Sequence, residues 1–358
     1  MPTLKKSVLA APVFLVAAVL TLPAWKPAAK RFKWFIVATN VYQDTLRRTG
    51  LSSTQIGQMD FSTLPESETA EYVRRINTTF DHYRSEGGLT PDEVRDGRVL
   101  EIGPGETLGV ALRLIGAGAA HVTAIDKFVP LQTSPFHRTL YRTLGDGLSA
   151  DEQARVARAV DLASGVRFNP AYVSYVYGKG VEDAAASQFA PQSFDLIVSN
   201  AVLEEVYDLD RTFAVLDRVL KAGGRQIHVI DLRDYGMFTK HGFHPLEFLT
   251  IPDGIYRHMV ESSGQPNRRL IDYYRRTAAS LGYRSAIYAT RVLGRDGELP
   301  GSPQTLEYGR DYSDQNLALV RAIRPRLLPR YRLLSDQDLL VQSIVFVARK
   351  PEPGSRAD

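Results

Sequence analysis

The chain has no cysteine in its 358 residues. That excludes disulfides, thiolate zinc sites and cysteine nucleophiles, and it accords with a reducing compartment. It also lacks internal repeats and any dedicated basic tract. With a net charge of only +4, no nucleic-acid partner is expected, although basic residues near the N-terminus leave anionic membrane surfaces open. No spacing of acids gathers several oxygen ligands, so no metal is expected. Hydrophobic residues make up 44% and charged residues 23%, the proportions of a globular chain of one large or two smaller domains.

Long apolar runs are scarce, and the main one lies at the start. Residues 8–25 carry no charge over 18 positions, the lower limit for spanning a bilayer. Lys5 and Lys6 precede the run; Lys26, Lys30, Arg31 and Lys33 follow it. The greater positive count behind it would keep the main body cytoplasmic. A membrane anchor, a cleaved export signal and a buried or interfacial helix are all open readings. Phe32, Phe35, Ile36, Thr39, Tyr42 and Leu46 then fall at helical spacing. That pattern suits a helix on a membrane surface or one packed against the main domain. Residues 1–48 are therefore set apart as an anchoring or interfacial segment, and 49–96 as a linker or lid with a helix over 71–83.

The stretch with the most information is Gly97-Arg-Val-Leu-Glu-Ile-Gly-Pro-Gly-Glu-Thr-Leu-Gly109. An apolar run ends in a glycine-rich turn, and a helical pattern follows. Gly103 and Gly105 allow a sharp turn and the close approach of a ligand, and the following helix aims its unpaired N–H groups at the same place. A dinucleotide fingerprint needs a third glycine at offset five, where Leu108 stands. Instead an acid, Glu101, closes the strand. A second apolar strand, His121 to Asp126, ends in a carboxylate 23 positions after Gly103, suited to both hydroxyls of a ribose.

Glu101-x-Gly103-x-Gly105 resembles the first motif of the class I S-adenosylmethionine (SAM)-dependent methyltransferases. Ser193-Phe-Asp-Leu-Ile-Val-Ser-Asn-Ala-Val-Leu-Glu-Glu-Val206 resembles the fourth-strand motif of the same family, and Leu220-Lys-Ala-Gly-Gly224 its turn before the fifth strand. The pairing of His228-Val-Ile-Asp-Leu-Arg-Asp234 with Pro266-Asn-Arg-Arg269 is similar to a bacterial subgroup of undefined substrate. Many relatives carry a histidine where Glu205 stands, so no histidine role carries over. The resemblance implies an α/β fold: a Rossmann-like doubly wound sheet, mostly parallel with an antiparallel last strand, preceded by a helical N-terminal extension. The methyltransferase domain would cover 97–350, with insertions at 128–170 and 232–270 and a disordered tail over 351–358. A third strand is expected over 172–177, a loop over 178–183, a helix over about 203–221, a helix over 270–281, and strands over 283–292 and 341–349. The 128–170 insertion is expected near the pocket mouth.

By the same resemblance SAM is the cofactor, held by Glu101, Gly103, Pro104, Gly105, Asp126, Lys127, Val181, Glu182, Asn200 and Ala201, with Glu182 or Asp183 at the adenine amino group. Methyl transfer needs a base only where the acceptor must lose a proton; Asp231, Asp234, His241 and His244 are the candidates, each with a structural role as the other reading. The expected function is methyl transfer to an oxygen or nitrogen of a small-molecule, glycan or lipid-linked acceptor, by a membrane-associated enzyme with its catalytic domain in the cytoplasm or by a soluble cytoplasmic one. A SAM-binding scaffold that has lost catalysis is the alternative.

Overall fold

A computed structural model describes residues 30–51, 64–127 and 135–354. Seven strands form one sheet in the order β5-β2-β1-β6-β7-β9-β8. They are β1 (Arg98–Ile102), β2 (His121–Asp126), β5 (Val173–Tyr177), β6 (Phe194–Asn200), β7 (Leu220–Asp231), β8 (Arg284–Val292) and β9 (Val341–Arg349); β3 (Val160–Asp161) and β4 (Arg167–Phe168) pair separately. Neighbours from β5 to β7 run parallel, and β9 is antiparallel to both β7 and β8. The Rossmann-like sheet with an antiparallel last strand is therefore as expected. Val99, Leu100, Ile197 and Val198 are fully buried, because strands covered on both faces read as continuous apolar runs.

Helices cover both faces. On one lie α2 (Thr69–Arg84), α3 (Gly109–Gly116), α4 (Pro135–Asp146) and α5 (Ala150–Ala159), whose Tyr72, Ile76, Phe80, Leu112, Leu140 and Val156 join one core cluster. On the other lie α7 (Leu209–Val219) and α9 (Ile271–Ser280), with the insertion around α8 (Asp253–Val260) and the first helix, α1 (Lys33–Arg48). Helix α6 (Val181–Gln188) follows β5. The stretch over 69–84 is thus a structural layer of the domain.

Several boundaries differ from expectation. The helix placed over 203–221 begins only at Leu209, because the Asp208 side chain caps it by accepting from the Arg211 N–H at 3.0 Å. Residues 201–208 instead form turns. The loop placed over 178–183 is already the first turn of α6 from Val181. The expected turn at 220–225 is taken into β7 as a register jump, Phe194 pairing with Leu220 and Leu196 with Arg225.

Of the two readings for α1, the structure shows packing on protein. Ile36 and Val37 are buried, and the Asp44 carboxylate accepts from the Ser262 N–H at 2.7 Å. Lys33 pairs with the buried Glu247 at 3.0 Å, and Arg326 reaches the same carboxylate at 2.6 Å. Phe32 and Trp34 face outward, 70% and 56% exposed. Among the described residues no helix is long and apolar enough to cross a membrane; the apolar run at 8–25 and the end of the tail lie outside them.

Candidate active site

The parallel strands place their carboxyl ends side by side, where open α/β sheets bind ligands. The ladder continues one residue past two of them: the Gly103 N–H donates to the Ile125 carbonyl at 2.8 Å, and the Ala201 N–H to the Val229 carbonyl at 2.9 Å. Gly103 and Gly105 have φ of +63° and +68°, conformations that glycine adopts without cost. A Cβ on Gly103 would lie 2.3 Å from Val202 Cγ2, whereas one on Gly105 would meet nothing within 4 Å. The turn is packed against the chain at its first glycine and open at its second. Leu108, where a third glycine would stand in a dinucleotide site, is buried in the core as the N-cap of α3.

Helix α4 braces the turn from behind, so the 128–170 insertion acts here as a support. The Leu108 N–H donates to the Tyr141 hydroxyl at 2.9 Å, and His137 Nε2 donates to the Glu106 carbonyl at 3.1 Å. Its residues 128–134 lie outside the described residues.

Glu101 is 3% exposed, and its Oε2 has no hydrogen-bond partner. Burial, and then the like charge of Asp126, push its carboxyl up to about 8. The hydroxyls of Tyr83, Tyr141 and Tyr175 all feel its charge. An orphaned buried carboxylate oxygen is costly unless a cationic donor completes it, and an amino-acid ammonium would do so. The residues present thus fit SAM. Asp126, at the end of β2, stands beside Tyr177 of β5 in register, Lys127 after it is exposed, and Asn200 closes β6 before Ala201, which has a φ of +54°. Pro104 sits between the two turn glycines. Val181 points into the core, so only its backbone is available, while Glu182 Oε2 is buried without a partner and Asp183 pairs with Arg211 at 3.2 Å.

A raised carboxyl makes a prediction about pH. The folded state holds the Glu101 proton up to about 8 while an unfolded glutamate releases it near 4.5. Stability from this group is full below the lower value and is lost as pH rises through the upper one. Glu204, also pushed to about 8, chiefly by burial, acts in the same direction. Urea midpoints of the ligand-free protein should fall from pH 5 to 8, and Glu101→Gln should remove roughly a third of that slope, Glu204 and Glu205 supplying the rest. An unchanged slope would show that Glu101 is not buried as a neutral acid.

The four candidate bases are accounted for differently. Asp231, at the end of β7, is gripped by Arg233, whose Nε and Nη2 donate to its two oxygens at 2.9 and 2.6 Å. Asp234 is a turn cap, accepting from the N–H groups of Gly236, Phe238 and Thr239 and from the Thr239 hydroxyl. These four bonds are those of its structural reading. His244 is likewise bonded at both ring nitrogens: Nδ1 accepts from the Leu246 N–H at 3.0 Å and Nε2 donates to the Leu319 carbonyl at 3.1 Å. His241, in a 3₁₀ turn with Lys30 nearby, has its imidazole lowered by burial and then by Lys30 and Lys240. Nothing in the structure brings these four together on one acceptor position.

Sequence reasoning passed over Glu204, Tyr235 and Asn267. The Glu204 carboxylate is buried and accepts from the Asp231 N–H at 3.0 Å and the Tyr235 hydroxyl at 2.8 Å. Tyr235 carries a φ of +51°, an uncommon conformation for a bulky side chain that tends to mark functional sites. Asn267 donates from its backbone to the Glu204 carbonyl and from its side chain to the carbonyls of Leu203 and Val206, each at 2.7 Å. The one signal for it was the Pro266-Asn-Arg-Arg269 run, which gave no partner.

The mostly parallel sheet with its antiparallel last strand, the glycine turn and the acid pair are what the resemblance to class I SAM-dependent methyltransferases implies. A family model described as "Methyltransferase domain" matches residues 149–227, from the cap of α5 into β7. The match and the fold support a SAM-dependent methyltransferase, with SAM as its cofactor. No curated protein matches it. Among solved structures it is similar to a SAM-dependent methyltransferase from Mesorhizobium loti, with 15% identity over 77% of this chain and 100% of that one and a TM-score of 0.38. It is also similar to Haemonchus contortus phosphoethanolamine N-methyltransferase 2, with 15% identity over 84% and 61% and a TM-score of 0.40. A geranyl diphosphate methyltransferase gives 14% over 82% and 93%, with a TM-score of 0.41.

Proposed function

We propose that this methyltransferase acts on an oxygen or nitrogen nucleophile of a small-molecule, glycan or lipid-linked acceptor. The observation that carries the reading is the pair of carboxylates, Glu101 and Asp126, at the ends of adjacent strands beside a turn that is open at Gly105. Glu101 would take the donor's ammonium and Asp126 its ribose hydroxyls. The backbone from Gly103 to Gly105, with Asn200 and Ala201, would line the donor's length. Lys127, Val181 and Glu182 would border its nucleoside end. When bound, SAM supplies an activated methyl group whose S–C bond breaks as the acceptor–C bond forms, and an acceptor that starts protonated releases one proton. The chain's task is then alignment, which by itself supplies most of the acceleration in an in-line displacement.

A lipid-linked acceptor is favoured by one feature. Phe32 and Trp34 are exposed close to Lys30 and Arg31, shortly after a run without charge, a pattern of apolar and basic residues that suits an anionic bilayer surface. The test is to incubate the full chain with methyl-labelled SAM and either a water-soluble extract or vesicles made from extracted lipids, and to locate the label by mass spectrometry. Label on an oxygen or nitrogen is expected, with more product from vesicles. Label on carbon would sink the acceptor class, and label only in the water-soluble arm would remove the lipid.

A further inference from the structure

The segment Val202–Val206 after β6 is a strap held from three sides. Val202 packs over Gly103, so the strap touches the donor turn directly. Inside the strap the N–H groups of Glu205 and Val206 both donate to the Val202 carbonyl, at 2.9 and 3.2 Å. Asn267 ties down its Leu203, Glu204 and Val206 carbonyls from the insertion side, and Glu204 turns inward to Asp231 and Tyr235.

The next residue, Glu205, is exposed as a whole residue while its carboxyl is crowded by protein. The charged and titratable groups that it faces are Asp126 from β2, Glu204 on its own strap and Tyr235 after β7. Asp231, which also acts on Tyr235, is already neutralised by Arg233. Among the described residues no cation lies within ion-pair distance of Glu205: the nearby ion pairs are Arg233–Asp231 and Arg211–Asp183. The chain has fixed an anion next to the residue assigned to the donor's ribose and supplied it with no counter-charge.

We propose that Glu205 is the counter-charge for the donor's sulfonium, and that Glu204, Tyr235 and Asn267 are positioning residues that hold it there. This rests on the SAM reading of the site. The consequence is selectivity between donor and spent product. SAM and S-adenosylhomocysteine share ammonium, carboxylate, ribose and adenine, and differ at the sulfur, which is positive in one and neutral in the other. Glu101 and Asp126 therefore act equally on both, and Glu205 acts on the difference. Crowding by protein raises the Glu205 carboxyl to about 7, the Tyr235 hydrogen bond opposing this and the Asp126 charge adding to it. A bound cation favours the ionised form, so SAM affinity rises with pH through this range and, reciprocally, SAM binding releases a proton that the product does not.

The experiment is calorimetric titration of the full chain with SAM and, separately, with S-adenosylhomocysteine between pH 6 and 8.5. In the native protein the affinity ratio of SAM to product should rise about tenfold over this range, the effect of the smallest one-unit coupling expected for opposite charges at close range. In Glu205→Gln the ratio should be flat and low, Glu205→Asp should restore part of its pH dependence, and Asn267→Ala should lower it with product affinity retained. A Glu205→Gln ratio that follows the native curve would overturn the proposal. If neither ligand bound the native protein, the SAM reading itself would fall instead.

Discussion

Gly103→Ala is expected to cost about 2–5 kcal/mol of stability and to weaken SAM binding by about a hundredfold or more. Two effects add. The φ of +63° disfavours any residue with a Cβ by about 1–2 kcal/mol. The new methyl would also sit 2.3 Å from Val202 Cγ2, and overpacking of this kind costs about 1–3 kcal/mol. Val202 can yield only by moving the strap that carries Glu204 and Glu205, so the damage reaches the site as well as the core. Gly105→Ala is the control. Its φ is as unfavourable, but nothing lies within 4 Å of its Cβ, so it should lose only the smaller backbone share. Chemical denaturation of both variants, with calorimetry for SAM, checks this. Equal destabilisation would remove the close packing of Val202 from the account.

Arg268→Ala should be the most damaging change away from the donor turn, at about 3–5 kcal/mol. Arg268 is 6% exposed and donates to the carbonyls of Phe248 and Ile251 at 3.1 and 2.6 Å, and to Asp253 at 2.6 Å. Its guanidinium lies 3.7 Å over the Tyr256 ring. Truncation leaves two buried carbonyls without their donor and a void beside two aromatic rings, and both losses are large in a packed interior. Lysine cannot replace the planar fork that stacks and donates in several directions at once, so Arg268→Lys should recover less than half of the loss. Because Asn267 is the preceding residue, both variants should also lower SAM affinity by loosening the strap. Urea unfolding gives the first effect and calorimetry the second. A loss under about 1 kcal/mol, the range of an exposed ion pair, would show that Arg268 is not a buried clamp.

The turn and the strand ends proposed to hold the donor were legible in the sequence. Glu101-x-Gly-x-Gly105 encodes strand, turn and helix because each residue's own backbone preference and the apolar period act locally. The ends of β2 and β6 followed from their apolar runs. The helix expected from Leu203 was misplaced because the residues Val202–Val206 are apolar enough to continue the pattern, while the cap at Asp208 and the ties from Asn267 decide otherwise. Asp234 and His244 looked like bases since a carboxylate or imidazole near a strand end carries that chemistry by type. Their partners, Thr239 and Leu319 among them, are supplied by turns and by a carbonyl 75 residues away.

The succession of strand, turn and helix along the chain, the glycine turn and the carboxylates at the strand ends were legible in the sequence alone, since they depend on φ preference and on periodicity over a few residues. Which carboxylates are buried, which are tied to an arginine and which stand without a counter-charge was decided by the tertiary structure. Protonation and binding strength depend on desolvation and on charges brought close by folding, and neither is a property of neighbours along the chain.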